Sequence, residues 1–146
     1  MKMTNAEYGE YVKRLAPKSK SLRDTVCSFI FGGLICCVGE FFKLGYLHLG
    51  LAESNAKNAT SITLIFLGTL LTALHLYDRL AKIAKAGALV PITGFANAVT
   101  APAIEFRSEG FIAGTAAKMF VIAGPVIVYG VTASVVYGFI YYFFIR

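Results

Sequence analysis

Thr93, Asn97 and Thr100 set two hydroxyls and an amide on an otherwise apolar stretch, AGALVPITGFANAVTAPAI, at residues 86–104. Residues three and four apart share a helix face, so Thr93 and Asn97 can present a hydroxyl and an amide donor to one carboxylate. The chemistry within reach is non-covalent recognition of a small anion. Glu105, Arg107 and Glu109 follow as a tight charged knot, and Lys118 is the only further charge before Arg146. If the helices flanking the knot meet inside a membrane, its charges line a polar pathway at the tip of a re-entrant hairpin. If it is a cytoplasmic loop, they are solvated. The residues fit either arrangement.

Covalent chemistry finds little support. His48 and His75 fall on different predicted helices near opposite faces, and no His-Glu helical metal motif, phosphate-cradling glycine loop or nucleophile elbow is present. No enzyme, cofactor or metal site is expected. Cys27, Cys36 and Cys37 all sit in one apolar run, and adjacent Cys36 and Cys37 point about 100° apart on a helix, which suits packing better than metal binding. A net charge of +6 could point to nucleic acid. No basic helix face with interleaved aromatics appears, so a nucleic-acid partner is not expected.

The elements that must position these groups belong to a membrane. The chain is 57% hydrophobic and only 15% charged, where soluble domains carry roughly 25% charged residues. No Asp, Glu, Lys or Arg interrupts 119–145 or 59–77, and 26–51 is broken only by Glu40, Lys43 and His48. About 20 apolar residues cross the ~30 Å hydrocarbon core, so each run predicts a spanning helix. The expected fold is an all-α integral membrane protein with about three full spans, near 22–46, 60–80 and 125–144, and a broken, re-entrant half-helix region. Residues 1–23 form a polar head and 24–146 one membrane domain. The head carries Lys2, Lys13, Arg14, Lys18, Lys20 and Arg23 of the chain's 14 basic residues, which places the N-terminus in the cytoplasm. Arg79, Lys82 and Lys85 return the chain to that side. A cleavable signal peptide is not expected behind so polar a start.

Within the head, Tyr8, Tyr11, Val12 and Leu15 recur at helical spacing, with Thr4 or Asn5 as N-cap and Pro17 as terminator. Asn55, Asn58 and Ser61 mark a polar loop after the first span. Glu40 and Lys43, one turn apart near the far interface, read as a snorkelling pair. The segment at 88–102 is broken by Pro91, Gly94 and Pro102, leaving about ten residues, or ~15 Å of helix, between the prolines. Lipid cannot satisfy free backbone groups, so such a segment survives at membrane depth only inside protein or along a wet cavity; lying flat at the interface is the alternative. Gly110 and Gly114 form a GxxxG that permits close helix approach. Gly124-Pro125 predicts a kink or break, dividing the last run into a half-helix at 110–123 and a full span at 125–144. Parity then puts the C-terminus outside.

The blocks GALVPITGFANAVTAPAIEFRSEGFIAG (Gly87 to Gly114), Lys118-Met119-Phe120, Ala123-Gly124 and Val126-Ile127-Val128-Tyr129-Gly130 resemble the stage V sporulation protein AC family and the related AE-b proteins. The likeness runs from about Tyr8 onward and includes Leu76-Tyr77-Asp78-Arg79; the head with Tyr11, Pro17 and Lys18 favours the AC branch. The resemblance implies residence in the spore inner membrane of endospore formers. It also implies an AE-b membrane paralogue and a soluble AD subunit as partners, and movement of dipicolinic acid with calcium during sporulation and germination. Mechanosensitive channel behaviour belongs to the same expectation. On that reading Thr93, Asn97, Thr100, Glu105, Glu109 and Lys118 are pathway candidates, and Pro91, Gly94, Gly110, Gly114, Gly124 and Pro125 supply hinges and close packing.

Overall fold

The computed structural model describes residues 4–15 and 20–145, and among them the chain is helical nearly throughout, with no strand. Helix α1 (Asn5–Leu15) opens on a capping box. The Thr4 N–H and hydroxyl donate to Glu7 Oε2 at 2.8 and 2.9 Å, and the Glu7 N–H returns to Thr4 Oγ1 at 3.4 Å. Thr4 is thus the N-cap. These donors, the backbone one foremost, hold the Glu7 carboxyl below its usual range. The cap is therefore complete at neutral pH and is lost as pH falls through that lowered value. The expected stop at Pro17 lies outside the described residues, as do Lys2 and Lys18.

Helices α2 (Ser21–His48) and α3 (Glu53–Ala73) form an antiparallel pair joined through Gly50, whose φ of +87° a side chain would oppose. Gly39 lets α3 approach closely: a Cβ there would sit 3.3 Å from Leu64 Cδ1. Tyr46 and Thr63 share a hydroxyl hydrogen bond of 2.7 Å. Glu40 and Lys43 pair at 2.9 Å, as their spacing suggested. The second long helix does not match the 60–80 span. It starts at Glu53, because Glu53 pairs with Lys57 at 2.7 Å and the Thr60 and Ser61 hydroxyls donate back to the carbonyls of Ala56 and Lys57. Asn55 and Asn58 are exposed on its first turns rather than in a loop.

It ends at Ala73. His75 takes a φ of 56°, and the Leu76 N–H closes on the Leu71 carbonyl at 2.9 Å in a Schellman-type cap. The chain then turns 104° into the short helix α4 (Tyr77–Ala84). Where one half-helix was expected at 88–102, there are two pieces. A single turn, α5 (Ala86–Leu89), is followed by Pro91 in extended geometry and by the 14-residue α6 (Ile92–Glu105). Pro91 starts α6 rather than breaking it: its carbonyl accepts from the N–H groups of Gly94 and Phe95 at 2.8 and 3.3 Å. Pro102 lies inside α6, which at ~21 Å is too short to cross a bilayer alone.

A 3-10 turn (Phe106–Glu109) and Gly110, at φ +101°, lead into a π-helical turn (Phe111–Ala116) and helix α7 (Ala117–Ile140). The expected break at Gly124-Pro125 is absent: Phe111–Phe144 is one apolar helix of 34 residues. Proline costs a helix one backbone hydrogen bond, but in lipid a broken helix would free several more with no water to take them. The parity expectation changes as well. Thr69 pairs with Thr100 and Thr72 with Asn97, a register that runs α6 antiparallel to α3. The tight turn then sends α7 back along α6, so the end of α7 points to the side from which α2 starts.

The protein is thus an all-α membrane protein. Ser21–His48 and Phe111–Phe144 are long and apolar enough to cross a membrane, and α3 with α4, bent by 104°, is so only when the two are counted together. Tyr77 apart, the buried positions among the described residues are small: Ala56, Ala84, Ala88, Ala96, Thr60, Thr72, Thr93 and glycines, as expected where helices associate in lipid by close backbone approach. From Pro125 to Phe144, beyond the reach of the shorter α6, every residue is exposed. The tightest approach is α5 against α2, where a Cβ on Gly87 would collide with the Ser28 carbonyl and lie 2.9 Å from the Gly32 nitrogen. Both obstacles are backbone and cannot swing aside. Gly87→Ala should therefore cost about 1–3 kcal/mol, as overpacking does. Gly130→Ala, with nothing within 4 Å of its Cβ, should be neutral. Thermal unfolding in detergent checks the pair, and equal melting temperatures would contradict this packing.

Candidate functional site

Two of the polar residues singled out on 86–104, Asn97 and Thr100, form a seam between α3 and α6. The Thr72 hydroxyl lies 2.7 Å from the Gly68 carbonyl and 2.9 Å from Asn97 Oδ1. One hydroxyl hydrogen serves the carbonyl, and the Asn97 amide completes the set when its NH2 is turned towards Thr72. One turn further along α6, the Thr100 hydroxyl donates to Thr69 Oγ1 at 3.3 Å. Gly68 makes the approach possible, since a Cβ there would lie 2.9 Å from the Thr93 carbonyl oxygen.

Thr93 faces a different partner from Asn97. The buried Tyr77 hydroxyl donates to the Ala88 carbonyl at 2.7 Å and shares a second hydrogen bond of 3.1 Å with Thr93 Oγ1. Ala88 needs this donor because of Pro91. In a continuous helix the N–H of residue 92 would cap that carbonyl, but the extended backbone at Pro91 turns Ile92 away. Tyr77 thus joins α4 to α5 and α6 at one point and is 1% exposed. Gly94 fits beneath the same corner, where a Cβ would strike the carbonyls of Ala88 and Leu89.

The seam and the corner are closed. Among the described residues, no buried side-chain nitrogen or oxygen lacks a hydrogen-bond partner. A cavity of about 290 Å³ opens between α2 and α3 against Leu64, Leu71, Tyr77 and Thr93, and its lining is apolar. Tyr77 and Thr93 border it, and their hydroxyls bond each other rather than face it. In this conformation the seam works as glue between helices, with its donors turned inward.

Glu105, Arg107 and Glu109 are exposed at the tip of the α6–α7 hairpin. Lys118, one turn into the return helix, sets its ammonium 4.3 Å from the centre of the Phe106 ring, a cation–π contact that folds its charge back onto the turn. Gly114 packs under the same turn, where a Cβ would collide with the Phe106 carbonyl and approach Glu109 Cβ to 2.9 Å. Gly110 supplies the positive φ. Gly124 has open space around it and Pro125 is exposed, so neither is in a tight contact. No group of His, Cys, Asp and Glu able to hold a metal occurs among the described residues. Sequence reasoning missed Tyr77, Thr69 and Thr72 as members of the site. Threonines three apart just before the bend were the available signal.

The architecture is that of a small polytopic helical protein with a polar seam between two helices and a charged hairpin tip. Residues 24–140 match the family model for SpoVAC/SpoVAEB sporulation membrane proteins. The chain belongs to that family. It is 42% identical over 145 residues to stage V sporulation protein AC of Bacillus subtilis (strain 168), a match covering 97% of each chain. No solved structure matches it. The Tyr77 node gives the site its test. Tyr77→Phe keeps the ring but strands the Ala88 carbonyl in an apolar setting, at a cost of about 1–3 kcal/mol. A matching fall in thermal stability is expected, and an unchanged melting curve would mean that this bond does not hold the corner.

Proposed function

We propose that this chain is a membrane subunit of a spore channel or transport complex that moves dipicolinic acid, with calcium, across the spore inner membrane in sporulation and germination. The observation that carries the reading is the seam itself: hydroxyls and an amide at membrane depth, on a helix too short to span and started by a proline. Polar side chains in such a place are costly, and the usual reason to keep them is a solute path or helix association. A rigid planar dicarboxylate suits donors such as Asn97 and Thr100 if α6 moves away from α3, and Thr93 joins them once it also parts from Tyr77. Glu105, Glu109 and Lys118 then stand at one mouth of the path. The family supports the sporulation setting. The partners that fit are an AE-b membrane paralogue and a soluble AD subunit, since few helices in one chain enclose little volume. The chain itself performs no catalysis in this scheme.

A second reading, a scaffold without a conduction path of its own, draws on the fact that the seam side chains already bond across α3 and α6 within the chain. Asn97→Leu separates the two. It removes the amide from the path and from its bond to Thr72 together, so assembly must be measured first, by pull-down with the partners. An intact complex that no longer accumulates dipicolinate supports the pathway. Normal accumulation sinks it, and loss of assembly favours the scaffold.

A further inference from the structure

We propose that the outward face of α4 is a docking surface for the headgroups of anionic phospholipids. The helix divides cleanly by burial. Tyr77, Leu80, Ala81 and Ala84 turn inward, while Asp78, Arg79, Lys82 and Ile83 are exposed, an arc that centres Arg79 and Lys82 on the outer face. Lys85 follows at a backbone φ of 54°, a value that non-glycine residues seldom adopt, where the chain turns back towards α5. All three cations are exposed, and none forms an ion pair with a described residue.

The charges at the other end of the α2–α3 hairpin behave differently. There Glu40 and Lys43 pair at 2.9 Å, and Glu53 and Lys57 at 2.7 Å. One end of the bundle neutralises itself, and the α4 end leaves positive charge unanswered. An anionic surface is the complement.

Lipid fits this face better than an acidic protein for two reasons. The 104° bend sets α4 across α3, so that with α3 along the membrane normal α4 lies in the membrane plane at the polar boundary. The cations are also mixed with exposed apolar side chains: Ile83 is 59% exposed, and Leu74, Leu76, Leu89 and Val90 stand out on the segments entering and leaving the helix. Such a surface places its charges at headgroup phosphates while its apolar groups reach the acyl chains.

The test uses the purified full chain in detergent, offered equal amounts of phosphatidylglycerol and phosphatidylcholine, with bound lipid read by native mass spectrometry. The wild type should retain phosphatidylglycerol preferentially. Arg79→Gln with Lys82→Gln should lose about five-fold of that preference for each cation removed, while phosphatidylcholine binding stays the same. The charge-keeping variant Arg79→Lys with Lys82→Arg should behave as wild type. Melting curves establish that the variants are folded, and the single change Lys82→Gln, at an exposed position, replaces the double variant if that one is not. No preference in the wild type overturns the proposal, as does an undiminished preference in the neutralised variant or its loss in the charge-keeping one. Retention of polyglutamate with no phosphatidylglycerol preference would point instead to an acidic protein partner.

Discussion

The structure depends on one requirement: a backbone that stops being helical where the protein buries it must find partners for its freed groups within the protein. Between Ala73 and Ile92 this chain leaves a long helix, crosses it, and turns back through a single turn and a proline. Each step exposes carbonyls or amides, and several of these are answered locally. His75 and Leu76 close the end of α3, the Pro91 carbonyl receives the first amides of α6, and the Tyr77 hydroxyl takes the Ala88 carbonyl that Pro91 orphans. Without that last bond the buried corner would carry an unpaired carbonyl among alanines and glycines.

Close packing follows from the same turn. Because α5 and α6 re-enter beside α2 and α3, backbones must pass within contact distance of one another, and glycine stands at each crossing. Gly87 meets α2, Gly68 meets Thr93, and Gly94 sits under the carbonyls of Ala88 and Leu89. Side-chain hydroxyls fill a second role. Thr72, Thr69 and Thr100 bond across the α3–α6 contact, and Thr63 bonds Tyr46 across the α2–α3 contact while also returning to the Ala59 carbonyl. Helix α7 lies outside this network: its first part returns along α6, and the rest continues as bare apolar helix.

Much of this was legible in the residues. The long uncharged runs marked the spanning helices, because an apolar run of that length is stable in lipid and a liability in water. Thr4 was one of two N-cap candidates, with Asn5, and the spacing of Glu40 and Lys43 marked the surface pair. Element ends were harder to read. Glu53–Lys57 and the Ala56-bonded Thr60 pull a polar start into α3, and the same helix ends at His75 by a backbone cap in a residue type that does not announce one. The prolines mislead. Pro125 and Pro102 lie inside helices, since lipid penalises a break more than one lost hydrogen bond. Asn97 and Thr93 could be placed on one face by spacing, but their partners Thr72 and Tyr77 are twenty-five and sixteen residues away. Only the bend after Ala73 brings them together, and no local pattern encodes it.

The central claim is that α6 turns back beside α3, with the two helices in antiparallel register. Thr69 Oγ1 and Thr100 Oγ1 lie 3.3 Å apart, so cysteines at these two positions bring their sulfurs close to bonding distance. The measurement is oxidative cross-linking of Thr69→Cys with Thr100→Cys in membranes, with Cys27, Cys36 and Cys37 replaced by alanine, and with Gly130→Cys in place of Thr100→Cys as the distant control. The account predicts a rapid intramolecular disulfide, seen as a mobility shift that reductant reverses, in the Thr69–Thr100 pair and not in the control. A pair that stays reduced under conditions that oxidise accessible thiols, or a control that cross-links equally well, would contradict it.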